Sequence, residues 1–465
     1  MDKKLKKFFE PRSVAIIGAS STPHKPGNDV ILNVLANGYE GEIYLVNPKG
    51  GEILGRRVYA SIEDLPERID LGVVILPASS NPGTIRACAA RGIEALVLVA
   101  GGFAEVDEDG ALLQDETIRA LKETGTRILG PNTSGLISMP HHFTSSFFPL
   151  GKIPRGGISY IAQTGNFATH TMRYIMSAEH FGVARVAGLG NKVDVDETEI
   201  LEYLGDDPES KAILMYLEGL KRPRQFLEVA RNVSARKPLC LLKGGSTSQG
   251  ARAATSHTAA LALDDGVMDG ALKQAGVVRL WKYTQLVLVA KGLASMPLPR
   301  GRRVGILAPS GAMLVCLADL CERDLGLSVP DLEEKSRRLL QDMSPSFVRM
   351  RNPVDIWPAA MVQGAEKAYR EGMEVVLKDP NIDAVVSVLM LTDETGVPPF
   401  DFLVELAGCH REKPIYVTCS GQRKHMEAAK AFLEPRGIPT FWFAEEALEV
   451  LSLVAACGEA MDRQR

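Results

Sequence analysis

Short apolar runs recur along the chain, each closed by glycine, proline, asparagine or serine, and helix-length amphipathic stretches separate them. In the first third the runs are Ser13–Ile17 before Gly18, Glu42–Val46 before Asn47, Leu71–Leu76 before Pro77, Ala95–Ala100 before Gly101, and Arg127–Leu129 before Gly130. Strands buried on both faces lose the alternation of apolar and polar residues that marks a half-solvated strand. Runs of this kind spaced by helices predict a parallel, doubly wound sheet. The crossovers of such a sheet are right-handed, so all the strands end along one rim, where open α/β sheets bind their ligands.

The pattern repeats twice more. After Pro154 come Ile158–Ile161, Val183–Gly188, Ala212–Leu217 and Pro238–Lys243; after the proline-rich break at Met296–Gly301 come Val304–Ala308, Ala384–Met390 and Pro414–Thr418. The expected fold class is α/β, with three doubly wound domains in series over residues 1–148, 149–295 and 300–465.

Composition narrows the function. The chain of 465 residues carries 53 basic against 57 acidic residues, a formal charge of -4, which argues against a nucleic-acid surface. No apolar run approaches the roughly 20 residues of a membrane span, and no apolar core of signal-peptide length follows the lysines of the N-terminus. Seven cysteines without CxxC spacing fit free thiols in a reducing compartment, so a cytoplasmic location is expected and no metal site.

The turn Gly18-Ala19-Ser20 after the first strand lacks the three glycines of a dinucleotide fingerprint. The second strand ends in Asn47-Pro48-Lys49, where NAD would require an acidic residue for the ribose hydroxyls. Lys49, Lys25 and Arg12 are expected to make the rim positive, which suits a phosphate-rich adenine nucleotide such as coenzyme A. A plain strand–helix turn beside solvated lysines has the same composition.

A second group of residues can handle phosphate. Lys243 opens a stretch rich in glycine, serine and alanine that reads as a loop, with a hinge over Gly244 to Ala254, and leads to His257 between Ser256 and Thr258. A histidine nucleophile needs a neutral ring nitrogen and small, polar neighbours, which this segment supplies. Gln163-Thr164-Gly165 precedes a helix expected over Phe167–Ala178, and Ser310-Gly311 precedes one over Ala312–Cys321. Helix starts of this kind offer unpaired N–H groups and a positive dipole end to an anion, although serine and glycine serve there as ordinary caps as well. Glu218 ends the run Ala212–Leu217, where a carboxylate can fix a histidine tautomer. The acidic loop Gly190–Glu197 is expected to cap a following helix, with weak Mg²⁺ binding as the alternative.

In chain order, Gly18-Ala19-Ser20, Asn47-Pro48, Gly130-Pro131-Asn132, Gln163-Thr164-Gly165, Gly190–Asp196, Tyr216–Gly219, Ser256-His257-Thr258 and Arg351–Asp355 resemble the α subunit of ADP-forming acetyl-CoA synthetases, in the succinyl-CoA synthetase superfamily. The resemblance implies a Rossmann-like CoA-binding domain followed by two flavodoxin-like domains. It implies a reversible ligase reaction in which acyl-CoA, ADP and phosphate give the acid, CoA and ATP through a phosphohistidine. By the same resemblance His257 takes the phosphoryl group and Glu218 orients it. Gln163, Thr164, Gly165, Ser310 and Gly311 face phosphate, and Gly18, Ala19, Ser20, Lys25, Asn47, Pro48, Lys49, Pro77 and Asn132 hold CoA. Three positions depart from the family pattern: Ala259 follows Thr258 where glycine is usual, and Pro309 and Ala312 replace flexible residues around Ser310. No ATP-grasp segment or P-loop is found, so ADP/ATP and Mg²⁺ are expected on a separate ATP-grasp β subunit, in an α2β2-like assembly. A CoA-binding sensor that has lost catalysis is the alternative reading.

Overall fold

A computed structural model of the chain describes residues 3–258, 265–394 and 397–465, and the side chains of 3 and 254–258 lie outside that description. Its strands form three sheets, each dominated by parallel pairs. The first sheet contains β1 (Ser13–Ile17), β2 (Glu42–Val46), β3 (Glu52–Ile53), β4 (Arg56–Tyr59), β5 (Leu71–Val74), β6 (Ala95–Leu98) and β7 (Arg127–Leu129), in the order β3-β4-β2-β1-β5-β6-β7. Only β3 and β4 pair antiparallel there. The chain leaves β1 toward β2 on one side and returns to β5 on the other, which opens a crevice at the carboxyl end of β1.

The second sheet contains β8 (Leu136–Ser138), β9 (Phe143–Thr144), β10 (Arg155–Ala162), β11 (Val183–Gly188), β12 (Ala212–Leu217), β13 (Leu239–Lys243) and β14 (Val278–Leu280), in the order β14-β13-β12-β10-β11-β8-β9. β8 and β9 belong to the stretch 1–148, yet β8 adds antiparallel to β11 and β9 antiparallel to β8. Such short runs leave no periodic signal, and their place is set by the edge they complete. The reversal of strand order here falls between β10 and β12.

These two sheets lie in one compact unit, Met1–Ala178 with Gly182–Tyr283 and Gln464. Arg185, fully buried on β11, donates to Asp207 at 3.2 Å and to the Phe9 carbonyl at 3.2 Å, tying the helix Lys3–Phe9 to the second sheet. Asp207 is pushed up by burial but held below the ordinary carboxylate range by Arg185 and Ser210. The acidic loop is consumed by structure, as the capping reading expected: Asp196 accepts from the backbone N–H groups of Thr198 and Glu199 and starts the helix Glu197–Asp206. Arg222 pairs with Asp196 and Arg127 with Asp194.

The other unit is Glu179–Phe181 with Thr284–Arg463 and Arg465. Its sheet is wholly parallel: β15 (Val304–Ala308), β16 (Val354–Asp355), β17 (Ala384–Leu391), β18 (Ile415–Gly421) and β19 (Thr440–Phe441), in the order β16-β15-β17-β18-β19. A dry ionic cluster lies within this unit. The Lys291 ammonium meets Glu179 at 2.7 Å, Glu434 at 3.0 Å and the Thr440 carbonyl at 2.6 Å, and Lys430 reaches Glu179 at 3.0 Å. His180 adds a contact to Glu434 at 3.0 Å.

Two expectations are corrected by the fold. The stretch read as a loop with its hinge before His257 is helical over Ser248–Thr258. Thr247 Oγ1 accepts from the Gly250 N–H at 3.1 Å, an N-cap, and the alanines that followed read as small loop residues are the best helix formers. Arg12 does not join the positive rim. It precedes β1, so it lies at the amino edge of the parallel sheet, where its N–H donates to Asp70 and its carbonyl accepts from Glu42. Among the described residues no helix is long and apolar enough to cross a membrane.

Candidate active site

At the crevice of the first sheet, Gly18 ends β1 with φ +94°, and a Cβ there would stand 2.3 Å from the Ile75 carbonyl oxygen. Its N–H and that of Ala19 both donate to Val46. The Asn47 amide donates to the Ala19 carbonyl at 2.8 Å, locking the ends of β1 and β2 together. Ser20 Oγ accepts from the Thr22 N–H, and the Ser20 carbonyl accepts from Asn28. Lys25 immediately precedes the helix Pro26–Ala36 without a side-chain cap bond, and Gly27 lets that helix sit on the Gly18 carbonyl, which a Cβ at Gly27 would meet at 2.1 Å. Pro48, Lys49 and Lys25 are exposed beside this turn, and Pro77 starts the short 3-10 turn after β5. The rim is a backbone surface with lysines at its border. Gly18→Ala is expected to destabilise the chain by more than about 1 kcal/mol, since alanine resists this φ as well as the carbonyl. Urea titration checks it, and an unchanged midpoint would refute the close-approach account.

Asn132 follows β7 in the left-handed region at φ +59°. Its N–H donates to Ala100, and its amide reaches Asn191 at 3.4 Å. It therefore stands at the end of β6 and β7, joined to the loop that follows β11.

At the second crevice the sequence places two candidates side by side. Gln163, buried at the end of β10, accepts through Oε1 from the backbone N–H groups of Glu218 at 3.1 Å and Gly219 at 3.4 Å. Its own N–H donates to Tyr216. The buried amide of Gln163 thus shapes the turn that presents Glu218, and this is its observed work. The Tyr216 hydroxyl donates to Glu218 Oε1 at 3.1 Å, and burial followed by the Glu218 charge pushes that hydroxyl well above its ordinary range. Thr164 Oγ1 accepts from the Asn166 N–H, and Gly165 is exposed with open space where a Cβ would stand. The helix expected after it forms over Phe167–Glu179 with wide π turns around the short α turn Met172–Tyr174.

His257 occupies the last turn of the helix Ser248–Thr258, and its side chain lies outside the described residues, as does Ala259 entirely. Ser310 and Gly311 belong to the other unit, at the carboxyl end of β15. There Ser310 Oγ accepts from the Met313 N–H at 3.4 Å as the N-cap of the helix Gly311–Leu320, while Pro309 and Ala312 flank it. Arg351–Asp355 lead into β16, where the Asn352 amide bonds β15 and Asp355 Oδ1 accepts from the Trp357 N–H.

Comparison with known proteins identifies the arrangement. The CoA binding domain family matches residues 12–139, and the succinyl-CoA ligase like flavodoxin domain family matches residues 155–293. The α subunit of ADP-forming acetate–CoA ligase I from Pyrococcus furiosus is 35% identical, over 96% of this chain and 96% of its own. The chain belongs to the ADP-forming acetate–CoA ligase family. ADP-forming acetate–CoA ligase II of Archaeoglobus fulgidus is 36% identical over 97% of this chain, which spans only 66% of that longer protein. The acetyl-coenzyme A synthetase 1 of Ca. Korarchaeum cryptofilum, solved with phosphate and ADP, superposes with a TM-score of 0.90 at 29% identity, covering 98% of this chain and 97% of that one.

The ligase reading makes both crevices intelligible: a first sheet of the CoA-binding kind, and a second whose rim holds a carboxylate. Sequence reasoning missed Tyr216 and the buried lysines at the second rim. Lys192 donates to the Gly219 carbonyl at 2.8 Å and pairs with Glu197 at 2.9 Å, and Lys243 ends β13. The available signal was a lysine closing an otherwise apolar strand just before two glycines.

Proposed function

We propose that this chain is the CoA-binding, phosphoryl-carrying α subunit of an ADP-forming acyl-CoA synthetase, working with an ATP-grasp β subunit that supplies ADP and Mg²⁺. The observation that carries the reading is Glu218, presented by Gln163 at the strand-order reversal of the second sheet, one strand from the segment that leads to His257.

Acyl-CoA enters with its nucleotide on the first rim, at Gly18, Ala19, Ser20, Asn47 and Pro77, with Lys25 and Lys49 facing its phosphates and Asn132 closing the border. A phosphate oxygen attacks the thioester carbonyl; the carbon–sulfur bond breaks, and CoA leaves as its thiolate to give an acyl phosphate. A neutral ring nitrogen of His257 attacks phosphorus, and the carboxylate leaves with the bridging oxygen. Glu218 accepts the hydrogen bond of the other ring nitrogen, which selects the nucleophilic tautomer and stabilises the charge that develops on the ring. Thr164 and Gly165 offer N–H groups to the phosphoryl oxygens. A β-phosphate oxygen of ADP on the β subunit then displaces the histidine, giving ATP.

The test uses the full chain without nucleotide, incubated with acetyl-CoA and radiolabelled phosphate. An acid-labile, base-stable label on the protein is expected, with one CoA released per label. A wild-type chain that takes no label with any of acetyl-, isobutyryl-, phenylacetyl- or succinyl-CoA would overturn the reading in favour of a CoA sensor.

A further inference from the structure

Lys243 closes β13, the strand next to the one that ends at Glu218; Leu217 and Lys243 are register partners, and the Gly244 N–H donates to the Leu217 carbonyl at 2.9 Å. Gly244 packs against Glu218 so closely that a Cβ on it would stand 3.2 Å from Glu218 Cγ. The side chain of Lys243 is only 6% exposed, and its ammonium donates to the carbonyl of Gly244. Removing a lysine charge from water costs several kcal/mol unless something pairs with it.

The other cations at this rim are already matched. Lys192 pairs with Glu197, Arg279 pairs with Asp265 at 2.6 Å and lies over the Trp281 ring, and Lys221 donates to the carbonyls of Lys192 and Val193. Among the described residues Lys243 has no carboxylate within ion-pair distance, and one of its three N–H bonds is used. A buried, charged donor with spare N–H groups, at the carboxyl end of the strand beside the one that leads to Glu218, is the complement of a small dianion. We propose that Lys243 binds the phosphate that enters the reaction, holding it at the Glu218 rim; the inference rests on the carrier reading above and adds the cation that reading lacked.

The electrostatics agree. Burial holds the Lys243 ammonium below its ordinary value; Asp265 and Glu218 pull it up, while Arg279 and Lys192 press it down. Phosphate binding that depends on this ammonium is strong below its lowered pKa and is lost as pH rises through it, whereas a guanidinium in its place stays charged throughout.

The experiment follows label uptake by the full chain from acetyl-CoA and inorganic phosphate as phosphate is varied. In Lys243→Met the phosphate concentration for half-maximal labelling is expected to rise on the order of tenfold to a hundredfold, the loss of one charged hydrogen bond. CoA affinity should be unchanged. Lys243→Arg should restore most of the phosphate affinity and abolish its alkaline decline, since a guanidinium stays charged throughout. Wild-type phosphate dependence in Lys243→Met would overturn the assignment while leaving the labelled histidine, and so the carrier reading, in place. Should Lys243→Met not fold, the arginine variant decides: an alkaline decline identical to the wild type would equally overturn it. A wild type that takes no label overturns both.

Discussion

His257→Ala is expected to eliminate the phosphoryl label entirely and to lower ATP formation from acetyl-CoA, ADP and phosphate by at least about a thousandfold. The label requires a nitrogen nucleophile, and alanine supplies none. Attack of phosphate on the thioester does not pass through this ring, so the variant should bind CoA normally and still release some CoA when phosphate is present. Glu218→Gln makes the companion measurement. The amide keeps an oxygen for the Tyr216 hydroxyl, and the bonds from Gln163 go to backbone N–H groups, so the turn should stand. What is lost is the charge that the carrier reading sets beside the histidine ring, and the rate of labelling should fall about a hundredfold with the label still on histidine. A full label in His257→Ala would move the acceptor elsewhere, and an unaltered rate in Glu218→Gln would leave the carboxylate without its orienting role.

Lys291→Met should destabilise the unit containing residues 284–463 by about 3–5 kcal/mol, the cost of leaving a buried charge without its partner. Burial pushes the Glu179 carboxyl up, but Lys291 and then Lys430 outweigh it and hold the group below its ordinary value. Glu434 is raised: burial prevails there over the same two lysines, and Glu179 adds its repulsion. Two carboxylates and two ammoniums meet in a space closed to water, and removing Lys291 takes from Glu434 its nearest ammonium, since Lys430 comes only to 3.8 Å. Glu179→Gln combined with Lys291→Met should recover part of the loss, because the charges again cancel. Denaturant unfolding of both variants measures this, and a single variant within about 1 kcal/mol of the wild type would remove the cluster's claim to stability.

Much of this molecule can be read along the chain. Buried runs such as Val304–Ala308 and Ala212–Leu217 fall within a residue or two of the observed strands, because a strand enclosed on both faces must be apolar throughout. A parallel sheet then fixes where every strand ends, so Gly18, Asn47, Gln163 and Glu218 could be assigned to rims from their place just after an apolar run. The errors have the same origin. Arg12 lies just before its strand, and direction alone decides which edge a neighbouring residue joins. The helix Ser248–Thr258 was hidden because alanine and serine are small enough to read as loop, while helix propensity is a weak guide over so short a stretch.

Sequence by itself determined the α/β class, the repeated winding and which residues close the strands at the rims, since burial and strand direction are written locally in the order of residue types. Tertiary structure alone decided which groups meet. It turned the Gln163 amide inward to hold the Glu218 turn, placed β8 and β9 on the second sheet, balanced Lys291 against two acids, and left Lys243 buried without a carboxylate among the described residues. Those outcomes depend on contacts between residues far apart in the chain, and pairwise distance, unlike apolar periodicity, leaves no trace in a single sequence.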